Sequence, residues 1–208
     1  MSPMIDTINN QAEQKGVIVL TGISGSGKTT LSKAFGVEHT IVSYTSRDPR
    51  PGEIEGEDYY FLNQEEAIEA SKTSFERAQF DGNYYGITFD EIEKKTNNYQ
   101  DLAILVANSE FYSGVRSFRG KLYFEGVLIY PVILNVPEDV AVERIKARGG
   151  SEDEITSRTT KILQEKEQVE IVRDLFDIPE FTVDTNKEIP ENQSRFLEFL
   201  KETYNLDV

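Results

Sequence analysis

The residues with the clearest chemical meaning form a glycine-rich run near the start of the chain, Gly22-Ile23-Ser24-Gly25-Ser26-Gly27-Lys28-Thr29. The run has the spacing G-x-x-x-x-G-K-[ST], in which backbone N–H groups turn inward around phosphate oxygens. In such a loop the Lys28 ammonium reaches the β- and γ-phosphates of a nucleotide, and the Thr29 hydroxyl is a ligand for Mg²⁺. We therefore expect the residues from Gly22 to Thr30 to bind ATP together with its magnesium ion.

A second group of candidate residues follows in the segment Ser43-Tyr44-Thr45-Ser46-Arg47-Asp48-Pro49-Arg50-Pro51-Gly52-Glu53. Arg47 and Arg50 are three residues apart on a turn that Pro and Gly residues favour, and Tyr59 follows shortly after. A guanidinium group binds phosphate through two parallel hydrogen bonds. The pattern suits a second phosphate site, and a solvated turn with two surface arginines is the alternative interpretation.

The segments around these residues predict an α/β fold. Residues 17–20 form a short β-branched strand before the glycine-rich run, and residues 28–35 are expected to be the helix after it. Apolar runs at 102–107 and 127–136 predict strands buried on both faces, each followed by a helix. The remaining predicted elements are a helix that starts after Pro137, a long helix over 155–176, a strand over 181–183 and a helix over 191–204.

Residues 41–90 have a different character from the rest of the chain. They contain short aromatic segments at 59–62, 74–80 and 84–87, separated by turn residues, which predicts a small β-rich insert. The expected organisation is a flexible tail over residues 1–14 and one domain over 15–208. Within that domain we expect a core at 15–40 and 97–208, made of a parallel sheet flanked by helices, and the insert at about 41–90.

Composition narrows the chemistry that this chain can support. Its 208 residues include 22 Lys+Arg and 37 Asp+Glu, for a formal charge of −15, with one histidine and no cysteine. Disulfides, thiolate catalysis and cysteine-bound zinc are excluded, and one histidine does not support a multi-histidine metal centre. The negative charge opposes binding to nucleic acid polymers and anionic membranes. With no signal peptide and no apolar run of about eighteen residues, a cytoplasmic location is expected.

The glycine-rich run alone does not distinguish a kinase from a GTPase or a motor ATPase. No Asp in the chain has a Gly three residues later, and Asn186-Lys187-Glu188-Ile189 lacks the final carboxylate that binds guanine in signalling GTPases. Asn108 and Asn135 stand at the strand ends where motor ATPases have the Asp that holds Mg²⁺. These absences favour a small-molecule kinase.

Together, these segments resemble those of guanylate kinases, whose acceptor loop runs T-T-R-x-P-R-x-G-E. The segment Phe75-Glu76-Arg77-Ala78-Gln79-Phe80-Asp81-Gly82-Asn83-Tyr84-Tyr85-Gly86 is similar to the family segment that ends in G-N-Y-Y-G. Arg144-Ile145-Lys146-Ala147-Arg148-Gly149, with Arg158, is similar to the family's mobile lid, expected here at about 144–158. The resemblance implies a P-loop α/β core, an insert that binds a nucleoside monophosphate and a helical lid that closes over ATP.

The resemblance also implies a role for each candidate residue. The acceptor phosphate would be held by Arg47, Arg50, Tyr59 and Tyr85, and the acceptor base would face Ser43 and Glu76. The catalytic residues would be Lys28, Arg144, Arg148 and Arg158, which neutralise the triphosphate as the lid closes. Strand packing is the alternative interpretation for the tyrosines, and surface ion pairs are the alternative for the lid arginines.

Two departures from the family pattern concern the acceptor. Ile87 stands where the family usually has a hydroxyl residue, and Leu105-Val106-Ala107-Asn108 replaces a D-x-D strand end. Losing polar groups at such positions relaxes or redirects the choice of base. These departures make guanine the weakest part of the comparison, and the sequence predicts neither the choice between ribose and deoxyribose nor the oligomeric state.

The function expected from the motifs and the resemblance is transfer of the γ-phosphoryl group of ATP to GMP or dGMP. The partners are then small nucleotides, with no nucleic acid polymer and no membrane. The alternatives are a kinase for another deoxynucleoside monophosphate, including one with a modified base, and a ribose 1,5-bisphosphate kinase. A non-catalytic binding module on the same fold is a further alternative, which the complete glycine-rich run disfavours.

Overall fold

The structure is a computed structural model that describes residues 16–80, 82–97, 101–107, 128–149 and 152–206. The tail expected over residues 1–14, the helix expected after residue 107, and Asn108 lie outside these ranges. Strands and helices are numbered below in chain order within the described part.

Five parallel strands form the larger sheet, with β1 (Gly16–Thr21) at its centre. All residues of β1 are buried, as its apolar sequence predicts for a sheet that is covered on both faces. Its neighbours are β7 (Leu102–Val106) on one side and β8 (Ile129–Asn135) on the other. The outer strands are β2 (Thr40–Ile41), next to β7, and β9 (Glu180–Thr182), next to β8.

A smaller sheet has four strands in the order β4-β3-β6-β5. They are β3 (Tyr44–Thr45), β4 (Tyr60–Phe61), β5 (Ser74–Phe80) and β6 (Asn83–Thr88). This sheet is mixed, because β3 pairs parallel with β4 and antiparallel with β6. It lies in the part of the chain whose aromatic segments predict β-structure.

Two helices accompany the smaller sheet. Helix α2 (Gln64–Lys72) lies between β4 and β5 and begins at a capping box made by Asn63 and Glu66. Helix α3 (Phe89–Lys95) follows β6 directly, and the Thr88 side chain caps its first turn. Both helix starts follow from local hydrogen bonds that satisfy otherwise free backbone N–H groups.

Helices cover both faces of the larger sheet because alternate residues of each strand point to opposite sides. On one face, Val17 and Val19 of β1 pack in a cluster with Ile87 of β6 and Ile92 of α3. This cluster joins the smaller sheet to the core through the buried side chain of Ile87.

The opposite face carries the helices nearest the two ends of the described chain. Ile18 and Leu20 of β1 pack there with Leu31 and Phe196. Leu31 belongs to α1 (Lys28–Ser32), and Phe196 belongs to α6 (Ile189–Tyr204). A parallel sheet flanked by helices, with a small β-rich sheet attached, is the α/β fold that the sequence predicts, and that prediction is confirmed.

Several boundaries differ from those predicted. Helix α1 is shorter than the helix predicted over 28–35, because Lys33–Phe35 continues it as a 3-10 turn. The last two helices before β9 are α4 (Glu138–Ala147), which begins after Pro137 as predicted, and α5 (Glu152–Phe176), which begins before the predicted residue 155. No helix within the described ranges combines the length and the apolar sequence needed to cross a membrane.

Candidate active site

The glycine-rich run forms a tight loop between β1 and α1. Gly25 has a φ of +81°, and a Cβ added there would lie 2.4 Å from the backbone oxygen of Ala141 in α4. Gly27 has a φ of +101° immediately before α1. Only glycine adopts these angles without strain, and only glycine allows the loop to approach α4 this closely. The loop therefore has a defined shape that its sequence dictates.

Lys28 turns its side chain back into this loop. Its Nζ donates hydrogen bonds to the carbonyl oxygens of Gly22 (2.8 Å) and Ile23 (2.9 Å). Burial lowers the pKa of Lys28 to about 8, the negative charge of Glu165 opposes this shift, and the positive charge of Arg148 adds to it. The Lys28 amino group is thus held inside the loop by the carbonyl oxygens of Gly22 and Ile23.

Side chains from two distant helices hold the loop from outside. Glu165 of α5 accepts hydrogen bonds from the Ser24 backbone N–H (2.6 Å) and from the Ser24 hydroxyl (2.8 Å). Arg144 of α4 donates from Nη1 to the carbonyl oxygens of Ser26 (3.3 Å) and Gly25 (3.4 Å). Sequence reasoning missed Glu165, and the only signal was its position seven residues after Arg158, on the same side of the helix.

The turn after β3 carries a partly buried ion pair. The Arg47 guanidinium donates two hydrogen bonds to the Glu53 carboxylate, at 2.6 Å and 2.7 Å, and lies 4.9 Å from the centre of the Tyr59 ring. The Arg50 backbone N–H donates to the same carboxylate at 2.8 Å. Burial alone would raise the pKa of Glu53, but the hydrogen bonds from Arg47 and Arg50 outweigh it and hold that pKa below its ordinary value.

A cavity of about 320 Å³ lies between the glycine-rich loop, the smaller sheet, and helices α4 and α5. The polar and glycine residues of its lining come from all of these parts. They are Ser24, Gly25, Gly27, Lys28, Thr29, Ser43, Arg50, Tyr59, Tyr85, Gly86, Arg148 and Arg158. The cavity thus brings together the residues predicted to bind a nucleoside triphosphate and those predicted to bind an acceptor phosphate.

The other predicted site residues lie beside this lining. Ile23 and Ser26 are buried in the loop, and the Thr30 carbonyl oxygen accepts a hydrogen bond from Gln193 of α6 at 3.0 Å. Arg47 is held by Glu53. The backbone of Glu76 pairs with Ile87 across β5 and β6, and its side chain lies outside the described part of the structure.

Both departures from the family pattern occur in the cavity wall. Ile87 and Val106 line the cavity together with Ala78, Ala107 and Ile145. The Ile87 side chain is only 2% exposed and packs in the core. One part of the cavity is therefore apolar, next to a part that carries the cations.

The fold and the site define a class of protein. A G-x-x-x-x-G-K-[ST] loop between a buried parallel strand and a helix, open to a cavity with arginines on its other walls, is the arrangement of a P-loop nucleotide-binding protein. A family model described as guanylate kinase matches residues 14–191, and the chain belongs to this family of phosphotransferases.

Individual relatives agree with this assignment. The guanylate kinase of Trichormus variabilis is 35% identical over 173 residues, which cover 77% of this chain and 83% of the relative. The guanylate kinase of Lactobacillus johnsonii is 33% identical over 158 residues, which cover 72% and 74% of the two chains. A crystal structure of guanylate kinase from Anaplasma phagocytophilum has the same fold, with a TM-score of 0.59 at 24% identity, and covers 92% of this chain and 88% of that one.

Proposed function

We propose that this protein transfers the γ-phosphoryl group of ATP to the phosphate of GMP or dGMP, giving the diphosphate and ADP. The observation that carries the proposal is the shared cavity, which has the glycine-rich loop on one wall and Arg50, Tyr59 and Tyr85 on another. Ligands bound at these two walls would bring their phosphate groups together in this space, as in-line transfer requires. The relatives named guanylate kinase support the choice of acceptor.

The donor side would bind ATP through the loop. Backbone N–H groups and the start of α1 would surround the phosphates, and the Lys28 ammonium would exchange its carbonyl partners for phosphate oxygens. Thr29 lines the cavity, and its hydroxyl would be a suitable ligand for the Mg²⁺ that accompanies ATP. Bound Mg²⁺ would supply neutralisation of charge on the β- and γ-phosphates.

The acceptor side would hold a monophosphate with Arg47, Arg50, Tyr59 and Tyr85. Glu53 and the Tyr59 ring fix the Arg47 guanidinium next to the lining residue Tyr59, so little side-chain entropy would be lost on binding. Ser43 and Glu76 would face the base, as the resemblance implies.

Transfer itself would need positioning and charge neutralisation and no covalent intermediate. Arg148 and Arg158 line the cavity from α4 and α5, next to the loop, where they would stabilise charge on the transferring group. Arg144 would act through the loop carbonyl groups that it contacts. Closing the walls over both ligands would exclude water and prevent hydrolysis of ATP.

A second candidate acceptor is favoured by one observation. Ile87 and Val106 make part of the cavity apolar, in the region where the resemblance places the acceptor base. Such a surface suits a base with fewer polar edge groups or with an added apolar substituent. Another deoxynucleoside monophosphate is therefore the alternative to GMP.

A coupled assay of ADP release across GMP, dGMP, AMP, dTMP, dUMP, CMP and ribose 1,5-bisphosphate tests the proposal. We expect GMP or dGMP to give the highest kcat/KM. If another acceptor is phosphorylated and GMP and dGMP are not, the choice of GMP or dGMP as acceptor is contradicted, but the assignment as a kinase stands. No turnover with any acceptor, despite ATP binding, would favour a binding module.

A further inference from the structure

One carboxylate accepts hydrogen bonds from both the backbone N–H and the hydroxyl of Ser24 in the glycine-rich loop. Glu165 accepts from the Ser24 backbone N–H at 2.6 Å with one oxygen and from the Ser24 hydroxyl at 2.8 Å with the other. Two hydrogen bonds to a charged group fix the orientation of Ser24 more firmly than two neutral bonds would. Ser24 also lines the cavity, so this contact shapes the wall of the site.

The location of this carboxylate is unusual on electrostatic grounds. A negative charge beside a site for a polyanion opposes binding of that anion. A carboxylate at this position therefore indicates a role other than direct contact with the ligand. Both hydrogen bonds are partly buried, and they join residues that are 141 positions apart in the sequence. The task that the contacts indicate is to hold the loop in shape.

The same helix carries a cation of the cavity. Arg158 and Glu165 are seven residues apart in α5, which is two helical turns, so they lie on the same side of the helix. Arg158 lines the cavity, and Glu165 binds the loop. A further contact, Lys166 to Glu138 at 3.6 Å, ties α5 to α4.

We propose that Glu165 is a positioning residue for the ATP phosphates, which fixes Ser24 of the glycine-rich loop and sets the distance between the loop and the Arg158 side of α5. The inference rests on the proposed function for its donor, ATP, and does not depend on the identity of the acceptor. When Glu165 is removed, the Ser24 N–H and hydroxyl lose their partners and the loop gains freedom that ATP must then restrict.

The test is the affinity for ATP with Mg²⁺ in the absence of any acceptor, measured by titration calorimetry on the full chain. Glu165→Ala should weaken ATP binding roughly ten- to a hundredfold, the range that corresponds to losing hydrogen bonds to a charged group. Glu165→Gln keeps one acceptor oxygen and should weaken ATP binding less than Glu165→Ala does. Glu167→Ala is the matched control, because Glu167 is an exposed carboxylate of the same helix, and it should bind ATP as the unchanged protein does.

A double-mutant comparison shows whether Glu165 acts through Ser24. Ser24→Ala removes the hydroxyl contact, so Glu165→Ala should weaken ATP binding less in the Ser24→Ala protein than in the unchanged protein. An equal loss of ATP affinity with and without Ser24→Ala would overturn the proposal. An ATP affinity that Glu165→Ala leaves unchanged would also overturn it. If that variant does not fold by circular dichroism, the same comparison is made with Glu165→Gln.

Kinetics then separate positioning from general stability. With a working acceptor, the Glu165 variants should raise the KM for ATP and leave the KM for the acceptor unchanged. A residue that only stabilised the fold would lower the melting temperature and the active fraction without this split. ATP binding that depends on Glu165, in a protein inert to GMP, would contradict the proposed function and uphold this inference.

Discussion

At the scale of single residues, carboxylates hold the groups that are expected to contact phosphate. Glu53 accepts hydrogen bonds from the Arg47 guanidinium and from the Arg50 backbone, and Glu165 accepts from Ser24. Each carboxylate fixes a donor in advance, so that a ligand loses less free energy in ordering the site. The consequence is that a change at a carboxylate should affect one substrate and leave the other unaffected.

Glu53→Gln is expected to weaken the acceptor site selectively. The amide nitrogen of Gln would face the donors of Arg47, so one of the paired bonds would be lost. We expect the KM for GMP to rise about tenfold, with the KM for ATP unchanged. Steady-state kinetics with each substrate varied in turn measure this. Glu57→Gln, an exposed change in the same segment, should alter neither constant, and an equal loss for both substrates would contradict the account.

The same pair predicts how stability depends on pH. The pKa of Glu53 is lower in the folded protein than in the unfolded chain, so its contribution is present above the unfolded value of about 4.3 and is lost as the pH falls through the folded value. The difference in unfolding free energy between the unchanged protein and Glu53→Gln should thus be constant near neutral pH. It should shrink below about pH 4 in urea titrations. A difference that stays constant from neutral pH down to about pH 3 would argue against the pair.

Residue chemistry also explains which parts of the site the sequence could predict. The glycine-rich loop was predictable because its spacing is required by phosphate, and Arg47 and Arg50 because two guanidinium groups lie close together in the chain. Glu165 was not, because its partner Ser24 is 141 residues away and only the packing of α5 brings the two together.

At the scale of elements, one buried carboxylate joins the smaller sheet to the core. Glu91 of α3 accepts hydrogen bonds from the Val42 backbone N–H (3.1 Å) and from the Tyr60 hydroxyl of β4 (3.0 Å). Lys95, also buried, lies 3.9 Å from the same carboxylate and donates to the Val37 carbonyl oxygen at 2.5 Å. Burial, with the charge of Glu91, raises the pKa of Tyr60 to about 12.

Glu91→Ala should therefore destabilise the fold strongly. It would leave the buried Lys95 ammonium without its counter-charge and the Val42 N–H without its acceptor. We expect a loss of about 3–5 kcal/mol in unfolding free energy from urea titration. Glu93→Ala, an exposed change in the same helix, should cost little. Similar small losses for both variants would show that Glu91 does not join the two sheets.

Element boundaries were less predictable than the elements themselves. The sequence indicates a strand, the loop and a helix in the right order, but it does not show that α1 gives way to a 3-10 turn at Lys33–Phe35. The mixed pairing of β3 with β4 and β6 is likewise absent from the local pattern. Pairing order depends on which segments meet in the folded chain, and aromatic alternation alone does not specify it.

At the scale of the whole molecule, charge is distributed unevenly. The chain carries a formal charge of −15, yet the cavity lining includes Lys28, Arg50, Arg148 and Arg158 and, among the described side chains, no carboxylate. Low-dielectric walls focus the field of such a cluster, so a small anion is attracted into the cavity.

This distribution predicts a dependence of ATP binding on salt. ATP affinity should fall as NaCl is raised from about 0.01 M to 0.15 M, because screening reaches the length scale of the cavity over that range. Arg158→Ala should weaken binding at low salt and reduce the steepness of this dependence. Lys33→Ala, an exposed change outside the cavity, should preserve it. Affinity for ATP that is independent of salt would count against a focused positive site.

In the proposed reaction, one cavity receives ATP and a nucleoside monophosphate, and a phosphoryl group passes between them. The most direct measurement follows the label of γ-³²P ATP into GDP after incubation with GMP and Mg²⁺, for the unchanged protein and for Lys28→Met. We expect labelled GDP from the unchanged protein and a rate at least about a hundredfold lower from the variant. Label that appears only in inorganic phosphate, or transfer that is undiminished in Lys28→Met, would contradict the account.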